Sequence, residues 1–289
     1  MQIALVTYDD QGRYASSVEN EDNQLRQFLL QKGLNIQPEI WTDPHVNWQA
    51  YDLAILKSPW DYFDKIEQFY SWLDKMENLN IPLLNPATVV RWNADKHYLA
   101  TIEASGLRVT PTLFLEKGQS PSLNDYFETF QSSKIVIKPC VSGGSKHTFA
   151  IGREDIDQLT PQLTSLLQQE AFMVQPFLEQ IQQEGEWSFI YFNGQFSHSL
   201  LKKARTGDFR VQHYLGGTIH PDPAPAHILS EASAYVEAFT KNCLYARVDG
   251  LIINNHFVLM ELELIEPFLF LFTYPGSYEK YYQALKRFI

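Results

Sequence analysis

The chain is short of cysteine, of positive charge and of long hydrophobic runs. It has 2 cysteines in 289 residues, too few for a disulfide framework, so we expect a reducing, cytoplasmic location. There are 23 Lys and Arg against 34 Asp and Glu, and the net charge of −11 disfavours nucleic acid and anionic membranes as partners. The apolar run at 268–272 is far shorter than the ~20 residues that span a bilayer, and the N-terminal stretch lacks the pattern of a signal peptide. We therefore expect no membrane segment.

Apolar and aromatic residues are abundant instead. Hydrophobic residues make up 45% of the chain and aromatic residues 14%, which is enough for a sizeable core and argues against disorder. A length of 289 residues is sufficient for two domains or one large one. The sequence is that of a globular protein.

Strand and helix patterns alternate over roughly the first ninety residues. The predicted strands are 3–8, 53–56 and 81–85, and the predicted helices are 23–32 and a segment around 66–73. This alternation predicts a parallel sheet covered by helices, in which ligands bind beyond the carboxyl ends of the strands. The segment after the second strand is such an end, and it supplies candidate substrate-binding residues: Ser58, Trp60, Asp61 and Tyr62. The alternative is that these aromatic residues form a plug between domains.

The pattern changes after this point. Asn93 is predicted to cap a helix that runs to Gly106. Further strands are predicted at 112–115, 135–138 and 171–178, further helices at 162–169 and 230–242, and two hairpins at 187–201 and 245–264. Asn193-Gly194 is a strong turn signal for the first hairpin. A second domain is expected to begin near residue 91.

Two carboxylates alternate with apolar residues in the second hairpin. Glu261 and Glu263 point to one face of a strand, while Met260, Leu262 and Leu264 point to the other. Carboxylates gathered on one face repel one another unless a cation neutralises them, and oxygen ligands favour Mg²⁺. The alternative is a hairpin with a solvated acidic face.

The length of the hairpin loop decides whether a third carboxylate joins them. A two-residue loop pairs Asp249 with Met260, whereas a three-residue loop that includes His256 pairs Asp249 with Glu261. We favour the three-residue loop. The predicted metal ligands are then Asp249, Glu261 and Glu263.

A lysine stands at the end of a predicted strand and is followed by a glycine pair flanked by hydroxyl groups. Lys138 leads into Ser142, Gly143 and Gly144. Glycines let the backbone approach an anion, and a lysine supplies a point charge to a phosphate. The spacing is not that of a Walker loop, and a purely structural turn is the alternative.

Two further segments are candidates. Four cations lie within nine residues of an otherwise acidic chain, from Lys202 to Arg210, which indicates an anionic partner unless the loop is simply solvated. Gln175, Phe177 and Leu178 end a strand whose backbone could contact an adenine, and Glu186 could bind ribose hydroxyls. Taken alone, this second segment reads as an ordinary strand and turn.

In their order and spacing these elements resemble the ATP-grasp superfamily, in particular the group of cycloserine synthetase, with prokaryotic glutathione synthetase further off. The pieces that carry the resemblance are Asn93-Ala-Asp-Lys96, Lys138–Thr148, Gln175–Leu178, Gly207-Asp-Phe-Arg210, Arg247-x-Asp249 and Glu261-Leu-Glu-x-x-Glu-Pro267, together with Ser58-Pro-Trp-Asp-Tyr62. The resemblance covers essentially the whole chain. It departs from the common form at Glu263, where many relatives have Asn, and at Ser188, where glutamate ligases have Arg.

The resemblance implies an α/β (α+β) ATP-grasp fold. It has an N-terminal, Rossmann-like substrate domain at 1–90 and two subdomains that clamp ATP, a lid at 91–176 and a catalytic part at 177–289. It implies that Lys96 and Lys138 contact ATP phosphates, and that two Mg²⁺ ions, with Mn²⁺ as an alternative, bind to the three acids. Lys202, Arg210 and Arg247 would be catalytic.

The implied activity is that of an ATP-dependent carboxylate–amine ligase that acts through an acylphosphate on a small amino-acid-like substrate, with ring closure within one molecule as one form. The alternatives are an inactive ATP-binding regulatory module and a glutathione-synthetase-like peptide ligase. A homodimer is expected by analogy alone.

Overall fold

The computed structural model describes residues 1–9, 17–205 and 216–289, which form three β-sheets with helices on their faces. The strands are β1 (Gln2–Thr7), β2 (Asn35–Ile40), β3 (Leu53–Ser58), β4 (Leu83–Leu84), β5 (Leu113–Leu115), β6 (Lys134–Pro139), β7 (Phe149–Gly152), β8 (Phe172–Pro176), β9 (Glu186–Phe192), β10 (Gln195–Lys203), β11 (Thr218–Pro221), β12 (Tyr245–Ile253) and β13 (His256–Glu263). The helices are α1 (Ser17–Gln31), α2 (Ile66–Asn78), α3 (Ala87–Asn93), α4 (Tyr98–Ala104), α5 (Leu123–Phe130), α6 (Ile156–Leu167), α7 (Gln180–Gln183), α8 (Ala226–Phe239) and α9 (Ser277–Leu285).

The first sheet is parallel, with strand order β2-β1-β3-β4. Every residue of β3 is buried, as expected for a central parallel strand covered on both faces. The parallel, helix-covered sheet predicted for the first ninety residues is confirmed. Strand β2 was not predicted, because it is an edge strand with Pro38 inside it and shows little apolar alternation.

The second sheet is antiparallel, with order β5-β8-β6-β7. Helices α5 and α6 pack against it, and Phe127 and Leu163 join Ile137 and Val174 in one apolar cluster. The helix predicted at 162–169 begins earlier, at Ile156, and α5 was not predicted.

The third sheet is antiparallel, with order β11-β10-β9-β12-β13. The hairpin between β9 and β10 turns at Asn193-Gly194, where both residues have positive φ, as predicted. Helix α8 packs on β12 and β13 and buries Ile228 and Tyr235 against Val248 and Phe257. This sheet carries the acidic hairpin.

The turn between β12 and β13 differs from the prediction. Ile253 pairs with His256, so the loop has two residues, Asn254 and Asn255, both with positive φ. The three-residue loop was therefore wrong. The expected pairing of Asp249 with Glu261 is nevertheless present, because a bulge between Asp249 and Gly250 shifts the register by one residue.

Asn93 does not cap a helix. It is the last residue of α3, and its side chain bonds to the third sheet: Nδ2 donates to Leu262 O at 2.7 Å and Oδ1 accepts from Leu264 N at 3.0 Å. Lys96 consequently lies in the turn between α3 and α4, not on a helix.

The first and third sheets are held together by a buried asparagine. Asn85 donates to Tyr245 O and Leu264 O at 2.9 and 2.8 Å, and it accepts from Leu244 N at 2.7 Å. This contact places the hairpin beside the carboxyl end of the first sheet. Within the described ranges, no helix has the length and apolar character needed to cross a membrane.

Candidate functional site

The acidic hairpin brings three carboxylates and a guanidinium to one face of the third sheet. Asp249 lies opposite Glu261, and Arg247 lies opposite Glu263. The intervening Leu262 is buried in the core, so the side chains of this strand alternate between the two faces, with Glu261 and Glu263 on the same face. The hairpin thus gathers the three predicted metal ligands around one arginine.

Asp249 is buried and fully engaged by polar partners. Ser188 Oγ donates to Oδ1 at 2.6 Å, Arg247 Nη2 donates to Oδ2 at 2.8 Å, and Lys202 Nζ lies 3.2 Å from Oδ2. Burial raises the pKa of Asp249, but Arg247 and Lys202 outweigh burial and bring this pKa to about 2. The carboxylate is therefore charged at neutral pH.

Glu263 shares the same arginine. Arg247 donates to Glu263 Oε1 and, through Nη1, to Phe268 O at 2.9 Å. Burial raises the pKa of Glu263 to about 7, with Arg247 opposing the rise and Glu261 and Asp249 adding to it. The like charges on this face therefore partly suppress ionisation of Glu263.

Lys202, expected to be catalytic, lies in the same network at the end of β10. Its ammonium donates to Glu186 and to Asp249. Burial lowers the pKa of Lys202, but the two carboxylates raise it above its ordinary value overall. Glu186, expected to bind ribose, is thus paired with Lys202. Arg210 lies outside the described residues.

Two lysines approach the carboxylates from the second sheet and from the α3–α4 turn. Lys96 Nζ donates to Ser142 O at 2.7 Å and lies 3.2 Å from Glu261 Oε1. Lys138 has no hydrogen-bond or ion-pair partner in the described part of the chain, and burial lowers the pKa of its ammonium. A half-buried cation without a partner in the described residues is suited to an anionic ligand.

The glycine loop lies against the first domain. A side chain at Gly143 would collide with the Phe63 ring, and Lys146 pairs with Asp64. Ser142 Oγ donates to Lys146 O at 3.2 Å, and Gly144 has a positive φ. Only a glycine at 143 allows the loop backbone to approach Phe63 this closely.

The expected adenine segment is partly engaged within the protein. Phe177 N donates to Lys134 O at 3.0 Å. This amide was expected to be free for an adenine, but it is engaged within the protein. The Gln175 side chain donates to Thr112 Oγ1 at 2.9 Å. The Leu178 N–H has no partner among the described residues and could serve a ligand.

The predicted substrate loop is held by internal bonds. Trp60 Nε1 donates to Glu266 O at 2.9 Å, and Asp61 Oδ1 accepts from Trp41 Nε1 at 2.7 Å. Ser58 donates to Asp22, and Tyr62 is buried in the core beside Phe69. Trp60 thus ties this loop to the segment after β13, and Tyr62 belongs to the cluster of the first sheet. The substrate role of the loop stays a prediction.

Glu266 lies three residues after Glu263, and the sequence pattern did not predict a role for it in the site. Burial, Glu263 and Glu261 raise the pKa of Glu266 well above its ordinary value, which places it beside the same acidic face. The spacing Glu-x-Glu-x-x-Glu was the available signal. Phe63, Asp64 and Asn85 were also missed, and their roles depend on contacts between distant segments.

The donor set is chemically suited to Mg²⁺ and a nucleotide. Glu261 and Glu263 each pair through Oε1, and their Oε2 atoms have no partner within the described ranges. Hard carboxylate oxygens beside a free lysine are what a metal–phosphate pair requires. No choice of one carboxylate oxygen from each of the three acids, however, brings the three atoms within 4.8 Å of one another. The metal assignment stays a prediction.

Two family models match the chain. Residues 3–85 match the N-terminal domain of D-cycloserine synthetase DcsG, and residues 107–253 match the ATP-grasp domain of prokaryotic glutathione synthetase. The second match covers just over half of the chain.

A curated protein is also similar to the chain. The cycloserine biosynthesis protein DcsG of Streptomyces lavendulae is 26% identical over 168 residues, which are 57% of this chain and 56% of that protein. The matched region therefore spans little more than half the length of this curated relative.

Solved structures show the same fold. The crystal structure of D-cycloserine synthetase DcsG matches with a TM-score of 0.85 and 23% identity, covering 99% of each chain. The D-alanine–D-alanine ligase of Bacillus anthracis matches with a TM-score of 0.71 and 15% identity, covering 99% of this chain and 96% of that one. The expected ATP-grasp fold is confirmed, and the chain belongs to the prokaryotic glutathione synthetase ATP-grasp family, with an N-terminal domain of the cycloserine synthetase type.

Proposed function

We propose that the protein is an ATP-dependent carboxylate–amine ligase that releases ADP and phosphate. The observation that carries the proposal is the meeting of two groups of residues. Lys96 contacts Glu261 at 3.2 Å, so a lysine of the α3–α4 turn meets the carboxylates of β12 and β13. An ATP triphosphate with its cation needs both signs of charge at one place.

The phosphate side of the site comes from Lys96, Lys138 and the glycine loop. Lys138 carries a charge that no partner in the described residues neutralises, and the loop at Ser142–Gly144 can turn backbone N–H groups toward an anion. The adenine would lie against Leu178, and Glu186 would contact the ribose. Together these residues position the γ-phosphoryl group for attack.

Asp249, Glu261 and Glu263 would hold one or two Mg²⁺ ions, with Mn²⁺ as an alternative. Bound Mg²⁺ would neutralise charge on the phosphate oxygens. Arg247 is oriented by Asp249 and Glu263, so its guanidinium can stabilise negative charge without reorganising. Lys202 would assist it, as would Arg210.

The acyl donor would be the carboxylate of a small amino-acid-like molecule. That carboxylate attacks the γ-phosphorus, the bond to ADP breaks, and an amine then displaces phosphate from the acylphosphate. The Trp60 loop, bonded to Glu266 O beside the acids, is the proposed substrate wall. In this scheme residues 1–90 form the substrate domain, residues 91–176 the lid, and residues 177–289 the catalytic part.

We propose further that the amine belongs to the same molecule as the carboxylate. The family model that matches residues 3–85 carries the name of D-cycloserine synthetase DcsG, and cycloserine is a ring. The substrate domain is the part that selects the acyl donor, so its match supports ring closure.

The experiment is an incubation of the full chain with ATP, Mg²⁺ and amino-acid-like carboxylates, alone and in pairs. Release of ADP and phosphate with a single substrate, and a product lighter by one water, supports the cyclo-ligase. Turnover only with two substrates indicates a peptide-type ligase. Binding of ATP without turnover across the panel indicates a regulatory module.

A label tests the intermediate. Heavy oxygen in the substrate carboxylate should appear in the released phosphate, because the carboxylate oxygen stays on the phosphorus when the amine attacks. Unlabelled phosphate would contradict the acylphosphate route.

A further inference from the structure

A second group of side chains that could hold a metal ion lies next to Lys96 and Lys138 in the sequence. Asp95, His97 and Cys140 each offer one donor atom, and these atoms lie within 4.8 Å of one another. The described residues contain one group of three or more His, Cys, Asp and Glu side chains whose ligand atoms lie this close together, and it is this one. It shares no residue with the acidic hairpin.

The histidine is oriented as a ligand would be. Its Nδ1 lies 2.6 Å from Asp95 Oδ1, which also accepts from the His97 backbone N–H at 3.0 Å, and its Nε2 lies 3.2 Å from Glu116 Oε1. Histidines that bind metals usually donate their second ring N–H to a carboxylate, which fixes the tautomer. Phe114 stacks on the ring with centroids 4.3 Å apart and holds its plane.

The cysteine is the second, independent observation. Cys140 is 1% exposed, and its thiol has no hydrogen-bond partner in the described part of the chain. Burial raises the pKa of this thiol, with Asp95 adding to the rise. A neutral thiol aimed at an imidazole and a carboxylate gains no bond from them here, and a cation would supply one by binding the thiolate.

A metal ion could reach this group from solvent. A cavity of about 430 Å³ is lined by Asp95, His97, Glu116, Trp92, Tyr98 and Thr101. It is open to solvent, so an ion can enter and a water molecule can complete a four-coordinate sphere.

We propose that Asp95, His97 and Cys140 form a binding site for a divalent transition-metal ion of the zinc class, with Glu116 as the carboxylate that orients His97. One nitrogen, one sulfur and one oxygen ligand suit Zn²⁺ and disfavour Mg²⁺. On binding, the thiol proton of Cys140 passes to solvent and the sulfur bonds to the metal.

The site has a mechanical connection to the nucleotide site. Lys96 lies between two of the ligands in sequence, and its backbone N–H donates to Cys140 O at 2.9 Å. Cys140 follows Lys138 by two residues. A bound ion would therefore fix the two lysine-bearing segments relative to each other.

The test is a titration of the metal-free full chain with Co²⁺ alone, followed by absorption. Expected is a thiolate-to-metal charge-transfer band that corresponds to one Co²⁺ bound at Cys140, which a carboxylate-only site such as the acidic hairpin cannot produce, and displacement of that band by Zn²⁺. Absence of the band in the unmodified chain overturns the proposal.

Variants identify the ligands. Cys140→Ser should abolish the band, whereas Cys243→Ser, which changes the other buried free cysteine, should leave it unchanged. Glu116→Gln should weaken Co²⁺ binding by about 10- to 100-fold while keeping the band, as expected for a residue that orients a ligand. A band that survives Cys140→Ser overturns the proposal.

Should Cys140→Ser fail to fold, His97→Gln decides the matter, because His97 is partly exposed and its replacement leaves the core intact. We expect its affinity for Co²⁺ to fall at least as far as that of Glu116→Gln. An unchanged affinity in His97→Gln overturns the proposal.

Discussion

Glu261 is the carboxylate of the acidic hairpin that can be neutralised at the least structural cost. Its side chain is partly exposed, and within the described residues its carboxylate forms one ion pair, with Lys96 at 3.2 Å. Asp249, by contrast, is buried among two cations and a hydroxyl group, so removing its charge leaves buried cations uncompensated at a cost of about 3–5 kcal/mol. Glu261 therefore separates catalysis from stability.

We expect Glu261→Gln to lower turnover by about 10²–10³-fold, the size of effect that follows loss of one preorganised electrostatic group. The free energy of unfolding should fall by less than the ~3–5 kcal/mol expected at Asp249, because Glu261 is partly exposed although its partner Lys96 is buried. Steady-state ADP release and denaturant unfolding measure the two quantities. Glu103→Gln, on the exposed face of α4, is the matched control, and near-normal turnover in Glu261→Gln would remove the metal assignment.

Lys138 gives a prediction about binding. Its ammonium is without a partner in the described residues, so its removal breaks no internal bond and acts through the ligand. A charge-assisted hydrogen bond contributes about 1.5–3 kcal/mol, so Lys138→Ala should weaken ATP binding by about 10- to 100-fold. Calorimetric titration with a non-hydrolysable ATP analogue measures it. Lys117→Ala serves as the control at an exposed lysine, and an unchanged dissociation constant for Lys138→Ala contradicts the phosphate role.

At the scale of elements, the glycine loop depends on a close approach between two domains. Gly143→Ala places a methyl group against the Phe63 ring, and overpacking of this kind costs about 1–3 kcal/mol. We expect the variant to have a lower kcat/KM for ATP, because the displaced loop could not take the position over the ATP phosphates that we propose for it. The double variant Gly143→Ala with Phe63→Leu should recover part of the loss.

Phe63→Leu alone is the control for that prediction, since it shortens the ring without adding a collision. Equal kinetics in Gly143→Ala and the unmodified chain would show that the ring moves aside at no cost. Failure of the double variant to recover would place the effect in the loop backbone instead.

The β12–β13 hairpin shows how far elements can be predicted from sequence. Alternation of charged and apolar residues predicted that Glu261 and Glu263 share a face, because side-chain direction in a strand is local. The bulge at Asp249 could not be predicted, since it depends on how β12 pairs with β9 and β13 together. The pairing of Asp249 with Glu261 was right although the loop length assumed for it was wrong.

Partners across long separations were the part that sequence could not supply. Asn93 has the residue type of a helix cap, yet its amide bonds to Leu262 and Leu264 because the tertiary fold places two unpaired backbone groups there. Tyr62 follows a strand end like a ligand-binding residue, yet it packs in the core. In both cases tertiary contacts outweigh the local signal: for Asn93 they are bonds to the third sheet, and for Tyr62 they are packing within the cluster of the first sheet.

At the scale of the whole molecule, the stability of the assembled domains should depend on pH through His198. Its Nε2 lies 3.0 Å from Leu269 O and its Nδ1 lies 2.9 Å from Ser197 Oγ, within the cluster that joins the third sheet to the C-terminal segment. Burial lowers the pKa of His198 from 6.5 to about 4, and nearby Lys280 adds to the effect. The folded protein therefore holds this imidazole neutral.

Because the folded pKa is depressed, the unfolded chain binds the proton first as the pH falls. The stabilisation is complete above pH 6.5 and is lost progressively toward pH 4, and the two pKa values set its size at about 3 kcal/mol. We expect His198→Gln, which keeps a donor for Leu269 O, to lose this part of the pH dependence while the carboxylates contribute equally to both proteins. Urea unfolding of the two proteins across this pH range measures the difference. Parallel curves would mean that His198 titrates normally, and the packing of the C-terminal segment over it would then be looser than its burial indicates.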